Sequence, residues 1–263
     1  MPLFSANLTL LFTEVPFLDR FEAAAASGFR SVEFMFPYDH EPAAVRDRLD
    51  PHGLRLDLFN LPAGDFAGGE RGIACLPGRE QEFRDGVETA IRYADALGTS
   101  KLNCLVGLRD AGVDDRVHEA VLVENLRWAA ERIGSTGRTL QVEPLNPVDF
   151  PGFFLDSLPR ARAVIEAVGS PGLRLQFDIY HVQRTHGDVV HNLRRYAELI
   201  GHVQIADAPD RHEPGSGELN FGYILSELDQ LGYDGRVGAE YKPSTLTQQT
   251  LGWVQANGWR LDA

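Results

Sequence analysis

Lysine is almost absent from this chain. Of its 25 basic residues only Lys101 and Lys242 are lysines, and 38 acidic residues outweigh them all to give a net charge of −13. An extended nucleic-acid surface needs a basic face, so this balance excludes one. It also requires local positive charge, or a metal ion, wherever an anionic substrate is to be held against the overall field. Cysteine is as scarce. Cys75 and Cys104 are the two, and neither a CxxC nor a Cys/His pair at ligand spacing occurs. A disulfide framework is therefore excluded, and packed or loop thiols are the expectation. No apolar stretch reaches the roughly 18 residues of a membrane span. The opening MPLFSANLTLLF has neither a basic n-region nor a small-residue cleavage site, and reads as a first strand. GxxxxGK[ST] is missing too, so GLRDAG and GSGE are glycine-bearing turns. A cytoplasmic enzyme without nucleic-acid or membrane partners is expected.

What the chain does contain is strict alternation. Strand-like runs begin near Leu3, Ser31, Leu54, Lys101, Thr139, Arg174, Gly201 and Gly235. Helical periodicity fills the intervals, most clearly over Pro16–Ser27, Glu80–Leu97, Val117–Ile133, Leu158–Val168 and Phe221–Leu231, with apolar residues three and four apart. Each of these segments is followed by glycine (Gly28, Gly98, Gly134, Gly169, Gly232), the expected left-handed stop. Eight strands alternating with helices predict one α/β domain over residues 1–263, a single (β/α)₈ TIM barrel, for which about 250 residues is typical. A doubly wound open sheet is the runner-up. Two connections, Asn60–Arg79 after the third strand and Ala206–Glu218 after the seventh, are long, charged and rich in Gly and Pro. They read as loops positioned over a site.

Four of the predicted strands share one property. TLQVE ends at Glu143, LRLQFD ends at Asp178, HVQIAD carries Gln204, and RVGAE ends at Glu240. Each is separated from the next by about one strand plus one helix. In a (β/α)₈ barrel the chemistry sits at the C-terminal strand ends, so these oxygen donors converge. Three carboxylates about 5 Å apart, at an effective dielectric of 20, repel by about 3 kcal/mol per pair. Such a cluster must protonate or hold a cation. All-oxygen ligation by Glu143, Asp178, Gln204 and Glu240 favours a hard divalent ion, Mg²⁺ or Mn²⁺. Glu33 and Asn60 close the second and third strands, where capping of a helix explains them as well as a place at the barrel mouth.

The segments FSANLTLLF, SVEFMFPY, NLPAGDFAGGERGIACLPGRE, VEPLN, QFDIYHVQR, HVQIAD, EPGSGELNF and EYKP, spread over essentially the whole chain, resemble the hydroxypyruvate isomerase family of xylose-isomerase-like barrels. The resemblance implies two glutamates as proton donor and acceptor beside a divalent metal. By motif these fall on Glu143 of VEPLN and Glu240 of EYKP, with Asp178 and Gln204 completing the metal shell. It further implies a small anionic 2-oxo acid as substrate, with His181 hydrogen-bonding a substrate oxygen. Arg211, Lys242 and Arg71 are the candidate partners of the substrate carboxylate, Arg71 in a lid role. Moving one proton between adjacent carbons through an enediolate needs an acid and a base, which two carboxylates supply. The related ketose 3-epimerases usually carry histidine where this chain has Gln204, which counts against an epimerase. A four-carbon 2-oxo-tetronate is the alternative substrate to hydroxypyruvate. A three-zinc endonuclease on the same barrel would need several histidines and a DNA-binding face, and a non-catalytic sugar-acid binder would not need the paired glutamates. A homo-oligomer is compatible with the sequence.

Overall fold

The computed structural model describes residues 2–261. Strands β1 (Leu3–Asn7), β2 (Ser31–Phe34), β3 (Arg55–Asn60), β4 (Lys101–Cys104), β5 (Thr139–Val142), β6 (Leu173–Asp178), β7 (Ile200–Ile205) and β8 (Arg236–Ala239) form a closed parallel barrel in sequence order. Closure runs through β1 and β8, with Phe4 opposite Val237 and Ala6 opposite Ala239. The chain divides into two compact units, Met1–Asp57 with Phe177–Ala263, and Leu58–Gln176.

Every predicted strand start falls within one residue of the observed one. The strands are buried along nearly their whole length, as parallel strands are. Period two then sorts their side chains. In β7, Val203 and Ile205 alternate with His202 and Gln204; in β1, Phe4 and Ala6 alternate with Ser5 and Asn7; in β4, Leu102 and Cys104 flank Asn103. The apolar set faces the helices, while the buried polar set forms cross-strand hydrogen bonds such as Asn7 to Glu33 and Gln204 to Glu33. Barrel interiors usually hold branched aliphatics. The inward face of this one is largely polar.

The helices are α1 (Arg20–Ala26), α2 (Pro42–Leu49), α3 (Glu80–Leu97), α4 (Asp115–Gly134), α5 (Leu158–Val168), α6 (Ile179–Thr185), α7 (Val189–Tyr196), α8 (Phe221–Gln230), α9 (Thr247–Thr250) and α10 (Gly252–Ala256). Helix α3 buries Phe83, Val87, Ala90, Ile91, Ala94 and Leu97 along one stripe and stops at left-handed Gly98, φ 77°. The predicted stop at Gly134 is corrected. That glycine is the last residue of α4, the C-cap is Ser135, and the left-handed residue is Gly137 with φ 78°. No described helix is long and apolar enough to cross a membrane.

The long loop after β3 has two unlike halves. Ile73, Ala74 and Cys75 are buried. Side chains of α4 hold this half, Asn125 donating to the Ala74 carbonyl at 2.9 Å and the His118 ring meeting the Cys75 carbonyl at 2.8 Å. The tip, residues 64–71, is largely exposed and is tied by Glu70, which accepts from the Asp65 amide and pairs with Arg79. Cys75 and Cys104 are free and buried, and burial pushes the Cys75 thiol up to about 12.

Candidate active site at the strand ends

The C-terminal ends of β1, β2, β6, β7 and β8 bring Asn7, Glu33, Asp178, Gln204 and Glu240 into buried positions, each at most 6 % exposed. Asp178 ends β6 and starts α6. Its Oδ1 accepts from the Tyr180 amide at 2.8 Å, which caps the helix, while Oδ2 meets the Arg211 guanidinium at 3.3 Å and His181 Nε2 at 3.6 Å. Glu240 follows β8. Its Oε1 accepts from Asn7 Nδ2 at 2.9 Å and its Oε2 from Arg211 at 2.5 Å. Arg211 is therefore a buried cation shared by two buried carboxylates.

The Ala206–Glu218 loop delivers Arg211, and Asp207 builds that loop. This fully buried carboxylate accepts from four backbone amides: Ala208 at 2.9 Å, Gly215 at 2.8 Å, Gly217 at 3.0 Å and Leu219 at 3.1 Å. Arg211 itself is left-handed, φ 61°, and its carbonyl accepts from the Lys242 amide at 2.7 Å. Its guanidinium lies 5.1 Å from the centre of the Tyr180 ring. A non-glycine residue at positive φ is uncommon and collects at functional sites.

Burial governs the protonation of these groups. It raises Glu240, and the charges of Asp178 and Glu33 add to it, outweighing Arg211. Burial likewise raises Asp178 against the pull of Arg211. His181 is driven well below the ordinary imidazole range by burial and by Arg211, so it is neutral. Glu33 goes the other way. Burial opposes its charge, but His202 at 2.8 Å, Gln204 at 2.7 Å and Asn7 at 3.1 Å together lower it.

Glu143 follows β5 and is 5 % exposed. Its Oε2 accepts from Gln176 Nε2 at 2.9 Å and from Asn103 Nδ2 at 3.5 Å, and Asn103 also donates to Asn60 Oδ1 at 3.2 Å. Asp178 and His181, with Oδ2 and Nε2 3.6 Å apart, are both of a type that binds divalent cations, the imidazole being the softer donor.

The remaining candidates are placed differently. Lys242 is exposed, and its backbone, not its ammonium, contacts the Arg211 loop. Arg71 donates to the carbonyls of Phe66 and Glu70 and stacks on Phe66 at 4.2 Å, within its own loop. Neither Glu33 nor Asn60 caps a helix; each is hydrogen-bonded across strands. The parts played by Asn7, Glu33 and Asp207 go beyond the sequence reading. The available signal is the alternation of polar and apolar residues along the strands, which places Asn7, Glu33 and Gln204 on one face.

The sequence family described as xylose isomerase-like TIM barrel matches residues 21–257. The chain belongs to this family. It is 51 % identical to hydroxypyruvate isomerase of Escherichia coli K12 over 251 residues, covering 95 % of this chain and 97 % of that protein. It is 47 % identical to 2-oxo-tetronate isomerase of Cupriavidus necator over 255 residues, covering 97 % and 98 %. A crystal structure from Brucella melitensis, named as an AP endonuclease of family 2, superposes with a TM-score of 0.95 at 44 % identity, covering 97 % of this chain and 99 % of that one. With these relatives the chain is an enzyme of the hydroxypyruvate isomerase type, an intramolecular oxidoreductase.

Proposed function

We propose that the chain interconverts hydroxypyruvate and 2-hydroxy-3-oxopropanoate, with Glu143 and Glu240 as the proton-transfer groups. The observation that carries this reading is Arg211, a guanidinium held by two buried carboxylates in an otherwise acidic protein. A substrate carboxylate is a bidentate partner for such a group. When it arrives, Arg211 turns from Glu240 to the substrate and releases the Glu240 oxygen it holds. One glutamate then removes the proton from C3, giving an enediolate. The other returns a proton at C2, while the hydroxyl proton passes from O3 to O2. A carboxyl whose pKa is raised toward neutrality is suited to such exchange in both directions. Neutral His181 donates to a substrate oxygen.

Glu143 and Asp178, with Gln204 or His181, are the residues that would hold a divalent ion, Mg²⁺ or Mn²⁺. Such an ion supplies Lewis-acid stabilisation of the developing oxyanion. The identity to 2-oxo-tetronate isomerase favours a four-carbon acid as the second reading. Proton NMR of the purified protein in D₂O with each acid tests both. Conversion with deuterium at the acceptor carbon is expected, and the faster acid is the substrate. No conversion of either acid, with Mg²⁺ or Mn²⁺ supplied, rejects the proposal.

A further inference from the structure

Glu33 reaches neither the strand-end loops nor solvent, yet the barrel makes unusual provision for it. The β1–β2 register sets Asn7 beside Glu33, and the β7–β8 register sets Gln204 beside Gly238. A Cβ at Gly238 would lie 2.4 and 2.5 Å from the two Glu33 oxygens, so only glycine leaves the carboxylate its place. Into that place Asn7, His202 and Gln204 all turn N–H groups.

An ionised carboxylate accepts and cannot donate. An amide facing it must therefore present its NH₂ end, and its oxygen is turned to the other side. For Gln204 this aims the amide oxygen away from Glu33. For Asn7 it spends one N–H on Glu33 and leaves the second for Glu240 Oε1 at 2.9 Å, while Asn7 Oδ1 takes the Thr9 amide at 3.1 Å. Every polar atom of the Asn7 side chain is thus assigned, and the assignment starts at Glu33.

We propose that Glu33 is a positioning residue that fixes the orientation of the Asn7 and Gln204 amides, and through Asn7 the carboxylate of Glu240. This rests on the reading above, in which Gln204 and Glu240 serve the isomerisation. Glutamine at position 33 has nearly the same shape but can meet an amide with either end, so the orientation is no longer dictated. Exchanging the two groups, with glutamine at 33 and glutamate at 204, restores one donor facing one acceptor.

The test uses ¹⁵N-labelled protein, with the side-chain amide signals of Asn7 and Gln204 followed by hydrogen exchange, alongside kcat, KM and thermal melts. In Glu33→Gln the slow exchange of the Gln204 NH₂ is expected to disappear. kcat should fall about 10–100-fold, the usual loss when a partner behind an active-site group is removed, while KM changes little. In Glu33→Gln/Gln204→Glu a protected NH₂ should reappear at position 33. Gly238→Ala keeps the charge but displaces the carboxylate, and should repeat the kcat loss if Glu33→Gln does not fold. Wild-type kcat in folded Glu33→Gln overturns the proposal. So does a kcat loss with both amides still protected, or a double variant with no protected NH₂ at position 33. If the wild-type protein turns over neither acid, the isomerase reading fails by itself, and the amide exchange alone decides the positioning of Asn7 and Gln204.

Discussion

Asp178 shows how two readings of one residue are both correct. Its position after a strand and before a helix suits a cap, and its place among other strand-end acids suits a binding site. The structure assigns one oxygen to each, Oδ1 to the Tyr180 amide and Oδ2 to Arg211. At this scale the proton-transfer assignment is tested directly. Glu143→Gln and Glu240→Gln should each keep the fold and lose about 10²–10⁴ in kcat, the range for loss of acid–base catalysis. Near-normal turnover in either folded variant removes that residue from the mechanism. Arg211→Gln should raise KM steeply for hydroxypyruvate and much less for neutral dihydroxyacetone, because only the former needs a bidentate cation. Equal losses on both substrates would show that Arg211 does not bind the carboxylate. Glu33 sets a pH dependence of stability. Its folded pKa lies below the ordinary 4.5, so its contribution is complete above that value and is lost as pH falls through the folded pKa. Acid unfolding of Glu33→Gln should accordingly show a flatter limb below about pH 4.5 than the parent, whatever its stability at neutral pH. Parallel limbs would mean that Glu33 titrates alike in both states.

Elements that carry a clear period are legible in the sequence, and those that do not are hidden. The ends of α3 and α5 match their predicted bounds because each has a full apolar stripe and a left-handed glycine after it. Helix α6 escapes a sequence reading because Ile179, Tyr180, His181 and Val182 are all buried, so no polar face breaks the apolar run that continues from β6. Helix α2 is short and opens on Pro42, which reads equally well as a turn. The strand-end acids can be found because spacing points to them, whereas Asp207 cannot, because its partners are backbone amides that leave no pattern in sequence. Its loop is nonetheless the element that presents Arg211. Asp207→Asn would offer those amides one acceptor oxygen in place of two. With Gly215 and Gly217 amides then unsatisfied, a loss of about 2–3 kcal/mol is expected in urea unfolding, from buried donors left unpaired. A rise in KM should accompany it, since the loop no longer fixes Arg211. Unchanged KM in the destabilised variant would separate loop architecture from substrate binding.

At the scale of the whole molecule, charge divides the functions that this barrel can host. A Brucella relative named as an endonuclease has the same fold, and fold alone does not choose between chemistries. DNA affinity comes mainly from cationic contacts to phosphates. A chain with a net charge of −13 opposes that association over its surface as a whole. Three of the eight histidines are committed away from a multi-zinc site. His118 is held between the Cys75 carbonyl and the Asp110 amide, His202 serves Glu33, and His212 meets the Lys242 carbonyl. The metal-loaded protein should therefore leave an abasic-site duplex intact at about 0.1 M salt, where exposed charges beyond roughly 10 Å are screened. The same preparation should isomerise its 2-oxo acid. Glu240→Gln supplies the control, because a contaminating host nuclease would survive the substitution and an activity of this site would not. Strand cleavage that disappears in Glu240→Gln, together with no turnover of hydroxypyruvate or 2-oxo-tetronate by the parent, would transfer the strand-end carboxylates from proton exchange to phosphodiester hydrolysis.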